Sequence, residues 1–232
     1  MYKNIKIAVI IPAYNEEECL SYVLKDIPEF VDTIIVVDNG STDNTVSVAK
    51  QFQTTVVHEH RRGYGSACLQ GINAITDEEI IVFIDADYSD YPEHMGRFLD
   101  QIIDHNFDCA ISNRFTKSLE KNAMSFPQYC GNKLAVWLVE FFWNYKYKDL
   151  GPFRAITTKA LLNLHMEDLD FGWTIEMQIK AIKNKLEVIH INVPYRNRIK
   201  GKSKISGTVL GVLKAGYKII SRIFYYRYIK KD

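Results

Sequence analysis

Short runs of Val and Ile, each followed by a polar loop and an amphipathic stretch, constrain this chain more than any other feature. Residues 6–11 (KIAVII), 33–37 (TIIVV), 54–58 and 79–84 (EIIVFI) read as strands, and 108–112 as a fifth. Between them, residues 16–27, 43–51, 65–75 and 92–104 have helical spacing, the last with Pro92 in its first turn, where a missing N–H costs little. Near-continuous apolar strands alternating with helices predict βαβ units and a mostly parallel sheet covered on both faces. The second half is less regular. Residues 132–145 and 173–183 read as helices, 153–157 and 186–193 as strands, 196–206 as a basic loop and 208–229 as a final helix.

Composition removes several classes of protein. With 47% hydrophobic and 25% charged residues the 232-residue chain is globular rather than disordered. Cys19, Cys68, Cys109 and Cys130 are far apart, with no CxxC pair or Cys/His cluster. They read as reduced thiols of a cytoplasmic protein, not a zinc site or a disulfide framework. The apolar run 7–11 ends at Pro12, too short for a signal segment. The C-terminal apolar stretch 209–229 is interrupted by Lys214, Lys218, Arg222 and Arg227. A spanning helix needs roughly 18 uninterrupted apolar residues, so this one is expected not to span.

The formal charge of +1 conceals a division. Eleven of the 29 basic residues, but one of the 28 acidic ones, lie from Tyr195 onward, giving a tail of +10 on a body of −9. Such a tail suggests a polyanionic or membrane-surface partner. In the last helix Lys214, Lys218 and Arg222 recur every four residues as one basic stripe. That stripe suits either an anionic membrane or a solvated edge of a helix held against the domain.

In a parallel sheet ligands sit beyond the carboxyl ends of the strands. Four consecutive strands here end in polar loops: 12–16, 38–43, 60–67 and 85–88. One such loop is as readily a turn and helix cap as a site; four on one edge favour a site. Asp85-Ala86-Asp87 is the sharpest, because two close carboxylates repel unless a cation joins them, and magnesium-type ions take one or two carboxylates plus substrate phosphates. There is no GxxxxGK[ST] and no GxGxxG after the first strand, which disfavours a P-loop enzyme or a dinucleotide oxidoreductase. Gly63 and Gly65 at a helix start could admit an anion, though weakly on their own.

Taken in order, PAYNE (12–16), DNGSTDNT (38–45), RGYGSA (62–67), DADY (85–88) with Pro92, and Asn113-Arg114 resemble family-2 glycosyltransferases of the GT-A fold. DLGPFRA (149–155), FGWTIEMQIKA (171–181) and RIKGKSK (198–204) are similar to the branch holding dolichyl-phosphate mannose synthases and polyprenyl-phosphate glucosyltransferases. The resemblance spans nearly the whole chain. It implies a Rossmann-like α/β catalytic domain over residues 1–206. The amphipathic helix of 207–232 would be either part of that unit or membrane-facing.

The resemblance also assigns roles. Pro12, Tyr14, Glu16, Asp38, Gly40, Arg62, Gly65, Asp85, Ala86 and Asp87 would bind the nucleotide sugar, with Asp85 and Asp87 holding Mg or Mn. Arg114 and Arg198 would meet phosphate oxygens. Asp149, Arg154, Trp173 and Glu176 would surround sugar and acceptor, and Gly201, Ser203 and Lys204 would close over phosphates. Simpler readings stand beside these: Tyr14 and Trp173 as packing residues, Glu16 as a first-turn acid, Arg114 in an ion pair. The expected reaction is metal-dependent, inverting transfer of a hexose to a polyprenyl-type phosphate, with UDP-glucose favoured as donor over GDP-mannose. An alcohol acceptor would need Glu176 or Asp149 as base. A non-catalytic nucleotide-sugar binding module is the rival of another class, and nucleic acid has no support. The expected location is the cytoplasm, either free or peripheral on the cytoplasmic face of the membrane.

Overall fold

The computed structural model describes residues 1–121, 123–200 and 209–230. Its strands are β1 (Ile7–Ala13), β2 (Thr33–Asp38), β3 (Thr55–His58), β4 (Ile80–Phe83), β5 (Cys109–Asn113), β6 (Arg154–Thr157) and β7 (Val188–Asn192). Its helices are α1 (Leu20–Asp26), α2 (Thr45–Ala49), α3 (Tyr64–Ile72), α4 (Met95–His105), α5 (Phe126–Trp143), α6 (Thr158–Asn163), α7 (Trp173–Lys183) and α8 (Val209–Phe224). A 3₁₀ turn at Pro92–His94 precedes α4, and a π-helical turn at Tyr225–Ile229 extends α8.

One sheet runs in the order β3-β2-β1-β4-β6-β5-β7. Its two faces explain the doubly apolar strands. Ile10, Ile35, Val37, Ile81 and Phe83 face a core shared with α3, α5, α7 and α8. Their neighbours Ile7, Val9, Ile11, Val36 and Val82 face a second core with α1 and α4. Alternation along each strand sends successive side chains to opposite layers, so both must be apolar.

The sheet is not wholly parallel: β6 runs antiparallel to both β4 and β5. Beyond α5, Tyr145 bonds Val188 at the start of β7, and Asp149 reaches Arg114 past the end of β5. Residues 145–153 thus return the chain to the edge where β5 ended, and the next strand must run the other way. As a result Arg154 lies opposite Phe83, just below the Asp85 loop.

Two helices differ from the sequence reading. α5 begins at Phe126, six residues earlier than expected. Ser125 and Gln128 form a capping box and Pro127 stands in the first turn. The short α6 was not expected; the Thr157 hydroxyl caps it.

α8 lies against α5 and α7 and buries Ile223 and Tyr226. Two residues of its basic stripe are engaged with the domain in this arrangement. The Arg222 guanidinium donates to buried Asp168, and the Lys218 ammonium stands 3.4 Å from the same carboxylate. Of the stripe, Lys214 remains exposed. Among the described residues, no helix is long and apolar enough to cross a membrane.

The segment before α7 is equally constrained. A Cβ on Gly65 would come within 2.0 Å of the Asp168 carbonyl, so α3 meets this segment backbone to backbone. Nothing lies within 4 Å of the corresponding position on Gly131 in α5. Gly65→Ala should therefore lower the thermal midpoint sharply. Gly131→Ala should raise stability by about 0.5–1 kcal/mol through helix propensity alone. Paired thermal melts of the two variants check this.

Candidate functional site

The carboxyl ends of β1, β2, β3, β4, β5 and β7 lie along one edge, and the polar loops meet there. Three groups of side chains result.

The first lies at the ends of β1, β2 and β3. The Arg62 guanidinium covers the Tyr14 ring at 3.5 Å from its centroid. Gly40 has φ +76° and sits under Arg62, whose Nε would be 3.5 Å from a Cβ there. Asp38 is buried at the end of β2, accepting from the Ser41 amide at 2.9 Å and standing 3.2 Å from His58 Nδ1. Burial pushes its carboxyl up, but the bonds from Ser41 and His58 outweigh this and hold it below the ordinary range. Asn39, unremarked in the sequence, ties the loop together: its amide donates to Glu59 and Arg61 carbonyls and accepts from the Gly63 N–H. Pro12, within β1, pairs in register with Val37 and brings Tyr14 beside the β2 loop.

The second group is acidic. Glu16 is buried, and its amide donates to the Thr45 hydroxyl, which fixes the β1 loop against α2. Arg198, arriving from the segment after β7, donates to both Glu16 carboxylate oxygens at 2.8 Å. The same guanidinium donates to Asp87 Oδ2 at 2.9 Å, while Asp87 Oδ1 accepts from the Ser89 amide. Arg198 therefore bridges two carboxylates from different strand ends. Its own burial disfavours the charge, but Asp87 and Glu16 more than restore it.

Asp85 lies half-buried beside Asp87. Its Oδ1 has no hydrogen-bond partner, and burial, with Asp87 nearby, pushes its carboxyl up to about 7. Ala86 is buried between the two acids. Asp90, a residue the sequence reading passed over, has both carboxyl oxygens unpartnered, and burial raises it well above the usual range. Its signal in the sequence was the third acid of DADYSD. Arg196, from the segment after β7, clamps this loop. It donates to the Tyr88 and Asp90 carbonyls at 2.7 and 2.9 Å and stacks on Tyr88 at 3.3 Å and Tyr91 at 4.0 Å.

The third group lies past β5. Arg114 donates through two nitrogens to Asp149 at 2.8 Å each, and Asn132 donates to the same carboxylate at 2.6 Å. Burial pushes Asp149 up, but the Arg114 charge outweighs it and holds the carboxyl low. The two are thus engaged with each other, a buried pair rather than separate contacts for phosphate and sugar.

Other expected site residues lie inside the fold. Trp173 is wholly buried, its ring edge-on to Phe83 at 4.8 Å and to Tyr64 at 6.1 Å. Arg154 is also buried, donating to the carbonyls of Leu150, Gly151 and Thr174. It braces β6 against the start of α7. Glu176 accepts from the amides of Glu167 and Asp168, the Tyr226 hydroxyl at 2.6 Å, and the Lys180 ammonium at 2.7 Å. Saturated by four donors and buried, it organises the segment before α7 and does not open onto the strand-end edge. Gly65 belongs to the same packing. Gly201, Ser203 and Lys204 lie outside the described residues.

A divalent cation fits this edge on limited terms. Asp85 offers an orphaned oxygen and Asp87 one that is neutralised by Arg198. Among the described residues no group of three or more His, Cys, Asp or Glu side chains is arranged to hold a metal. The donor set is therefore the sparse carboxylate kind that ligand phosphates complete.

Comparison with known proteins identifies the family and the fold. The model of glycosyl transferase family 2 matches residues 8–162. An uncharacterized glycosyltransferase of Mycobacterium tuberculosis is 32% identical over 93% of this chain and 98% of its own length. A dolichyl-phosphate hexose transferase of Haloferax volcanii is 28% identical, covering 86% of each chain. A polyprenol monophosphomannose synthase of Mycolicibacterium smegmatis is 27% identical over 91% of this chain and 84% of its own. Among solved structures, glucosyl-3-phosphoglycerate synthase of M. tuberculosis with Mn2+ and UDP-glucose superposes with a TM-score of 0.77 at 20% identity, covering 99% of this chain and 81% of that one. That likeness establishes the GT-A fold.

The Asp85 environment has a consequence for stability. Its folded value lies above the ordinary one, so its contribution is full below about pH 4 and is lost as pH rises through about 7. In urea unfolding without divalent metal, the wild type should lose more stability between pH 5 and pH 8 than Asp85→Asn, which stays neutral.

Proposed function

The chain belongs to glycosyl transferase family 2, and from that premise we propose that it moves a hexose from a nucleotide diphosphate sugar to a polyprenyl-type phosphate with inversion. UDP-glucose is the favoured donor and GDP-mannose the alternative. The reading rests on one observation above the rest: the orphaned Asp85 oxygen beside Asp87, with Arg198 held across Asp87 and Glu16 at the strand-end edge.

In this reading Tyr14, Asp38, Gly40 and Arg62 receive the nucleoside. Asp38 is ionised, and each of its oxygens keeps a lone pair beyond the Ser41 and His58 contacts with which to accept from ribose hydroxyls or a base N–H. Asp85 and Asp87 would hold Mg2+ or Mn2+, which when bound neutralises charge on the departing diphosphate. Arg198 then exchanges two carboxylates for phosphate oxygens, for which its planar fork is suited. An oxygen of the acceptor phosphate attacks the anomeric carbon. The bond from that carbon to the diphosphate oxygen breaks, and the nucleoside diphosphate leaves with the electron pair. No proton need be removed, because the acceptor is already an anion.

The engaged carboxylates favour a phosphate acceptor over an alcohol. Glu176 is saturated, and Asp149 is locked to Arg114, so neither is placed to take a proton. The relatives that are named as dolichyl-phosphate or polyprenol enzymes support the same choice. The Mn2+ and UDP-glucose bound to the structural neighbour support the donor and the metal.

The test is release of nucleoside diphosphate from UDP-glucose and GDP-mannose, with Mn2+ or Mg2+, and with or without a detergent-solubilised polyprenyl phosphate. Stimulation by the lipid phosphate is expected, with Asp87→Ala lowering turnover by about 10²-fold or more and chelation abolishing it. Release only with alcohol acceptors would replace the acceptor. Binding without turnover across the whole panel would indicate a non-catalytic module. Arg198→Ala should tighten donor-free Mn2+ binding, since Asp87 is then unpaired, while slowing turnover; titration calorimetry and the same assay measure the two effects.

A further inference from the structure

We infer that the outer face of α5, continued by the end of α8, docks this protein on an anionic lipid bilayer. The inference deepens the lipid-acceptor reading above and rests on it for its role.

One side of α5 is core: Asn132, Ala135, Val136, Leu138 and Val139 are buried. The opposite side should then be polar in a helix that simply faces water. It is not. Phe126, Leu134, Trp137 and Phe141, spaced by eight, three and four residues, fall on one stripe, and Phe126, Trp137 and Phe141 are 78%, 56% and 68% exposed. The stripe does not stop at the helix. Trp137 stacks on Phe141 at 5.7 Å, and Phe141 meets Phe142 at 5.2 Å. Phe142 in turn meets Phe224 and Tyr228 at 5.6 and 5.9 Å. Both of these last rings are exposed, so an unbroken run of aromatic rings crosses from one helix to the other at the surface.

Charge decides what covers it. Phe126–Trp143 and Val209–Ile229 together contain one acid, Glu140, against five basic residues. Lys218 and Arg222 are spent on Asp168, but Lys133, Lys214 and Arg227 are exposed. Arg227 lies 5.8 Å from the Phe142 ring centroid, at the middle of the aromatic run. A second copy would set cation against cation across the same face, which disfavours self-association. Aromatic rings with flanking Lys and Arg, nearly free of acids, match the membrane–water interface and an anionic headgroup layer. The helices would lie on the bilayer, since neither is built to span it.

The face also leads to the proposed chemistry. Lys133 stands 4.1 Å from the Phe115 ring centroid, and Phe115 follows Arg114 directly. Asn132, one residue away on the buried side of α5, bonds the Asp149 carboxylate that holds Arg114. A lipid phosphate at the bilayer surface would thus meet the strand-end edge beside α5 without leaving its headgroup plane.

The test is flotation of the full chain with vesicles of phosphatidylcholine alone or mixed with phosphatidylglycerol. Binding to the mixed vesicles is expected, weakened by raised salt. The Trp137→Ser/Phe141→Ser variant should lower the partition coefficient by about ten-fold or more, with an unchanged circular dichroism spectrum and melt. No flotation of the wild type, equal flotation of the variant, or equal binding to neutral vesicles would overturn the proposal. So would a dimer in sedimentation velocity that the same variant converts to monomer, since the face would then be a copy interface. Turnover of detergent-solubilised polyprenyl phosphate is measured in parallel. Turnover retained without flotation rejects the docking face alone, and flotation without turnover rejects the acceptor alone.

Discussion

Negative charge confined at one sheet edge is the constraint to which the rest of this structure answers. Parallel strands deliver their carboxyl ends to one side, and here they deliver Glu16, Asp38, Asp85, Asp87 and Asp90 together. Carboxylates so close and so buried cannot all ionise unless cations reach them. The protein supplies two of those cations from one short segment after β7: Arg198 across Glu16 and Asp87, and Arg196 behind the Asp85–Asp90 loop. Asp85 and Asp90 are left without such partners, and both are pushed toward the neutral form. An edge balanced in this way would be eased by one further positive charge, which supports the cation-assisted reaction proposed for it.

The same arithmetic accounts for the basic C-terminal portion. It does not act as one patch. Arg196 and Arg198 serve the acidic edge, Lys218 and Arg222 fasten α8 through Asp168, and Lys214 and Arg227 remain outward. A charge sum read along the chain cannot separate these uses, because each is defined by an acid far away in sequence.

What was legible beforehand follows from the length of the signals. Long Val/Ile runs specified β1, β2 and β4 and the edge at which their loops would meet, and the DxD acids stand where that logic put them. The direction of β6 was not legible, because a four-residue strand carries no mark of orientation and the return path of 145–153 is set by tertiary contacts. The resemblance put Trp173 and Glu176 around sugar and acceptor, with core packing as the simpler reading of Trp173. A motif names residues and not what their helix face meets, and both turn inward. Exposed aromatic residues in α5 were read as part of a helix, but the side left uncovered became visible only when the core side was known.

Residues 167–176 bind partners from both halves of the chain. Backbone of Asp168 and Leu169 fills the space left by Gly65 and Gly63 at the start of α3, while the Asp168 and Glu176 carboxylates fasten α8. During synthesis the β3–α3 loop therefore emerges with an open flank that stays wet until a segment a hundred residues later has been made. That segment in turn carries two carboxylates whose cationic and hydroxyl partners come last. The start of α3 can take its final backbone contacts only after most of the polypeptide has left the ribosome.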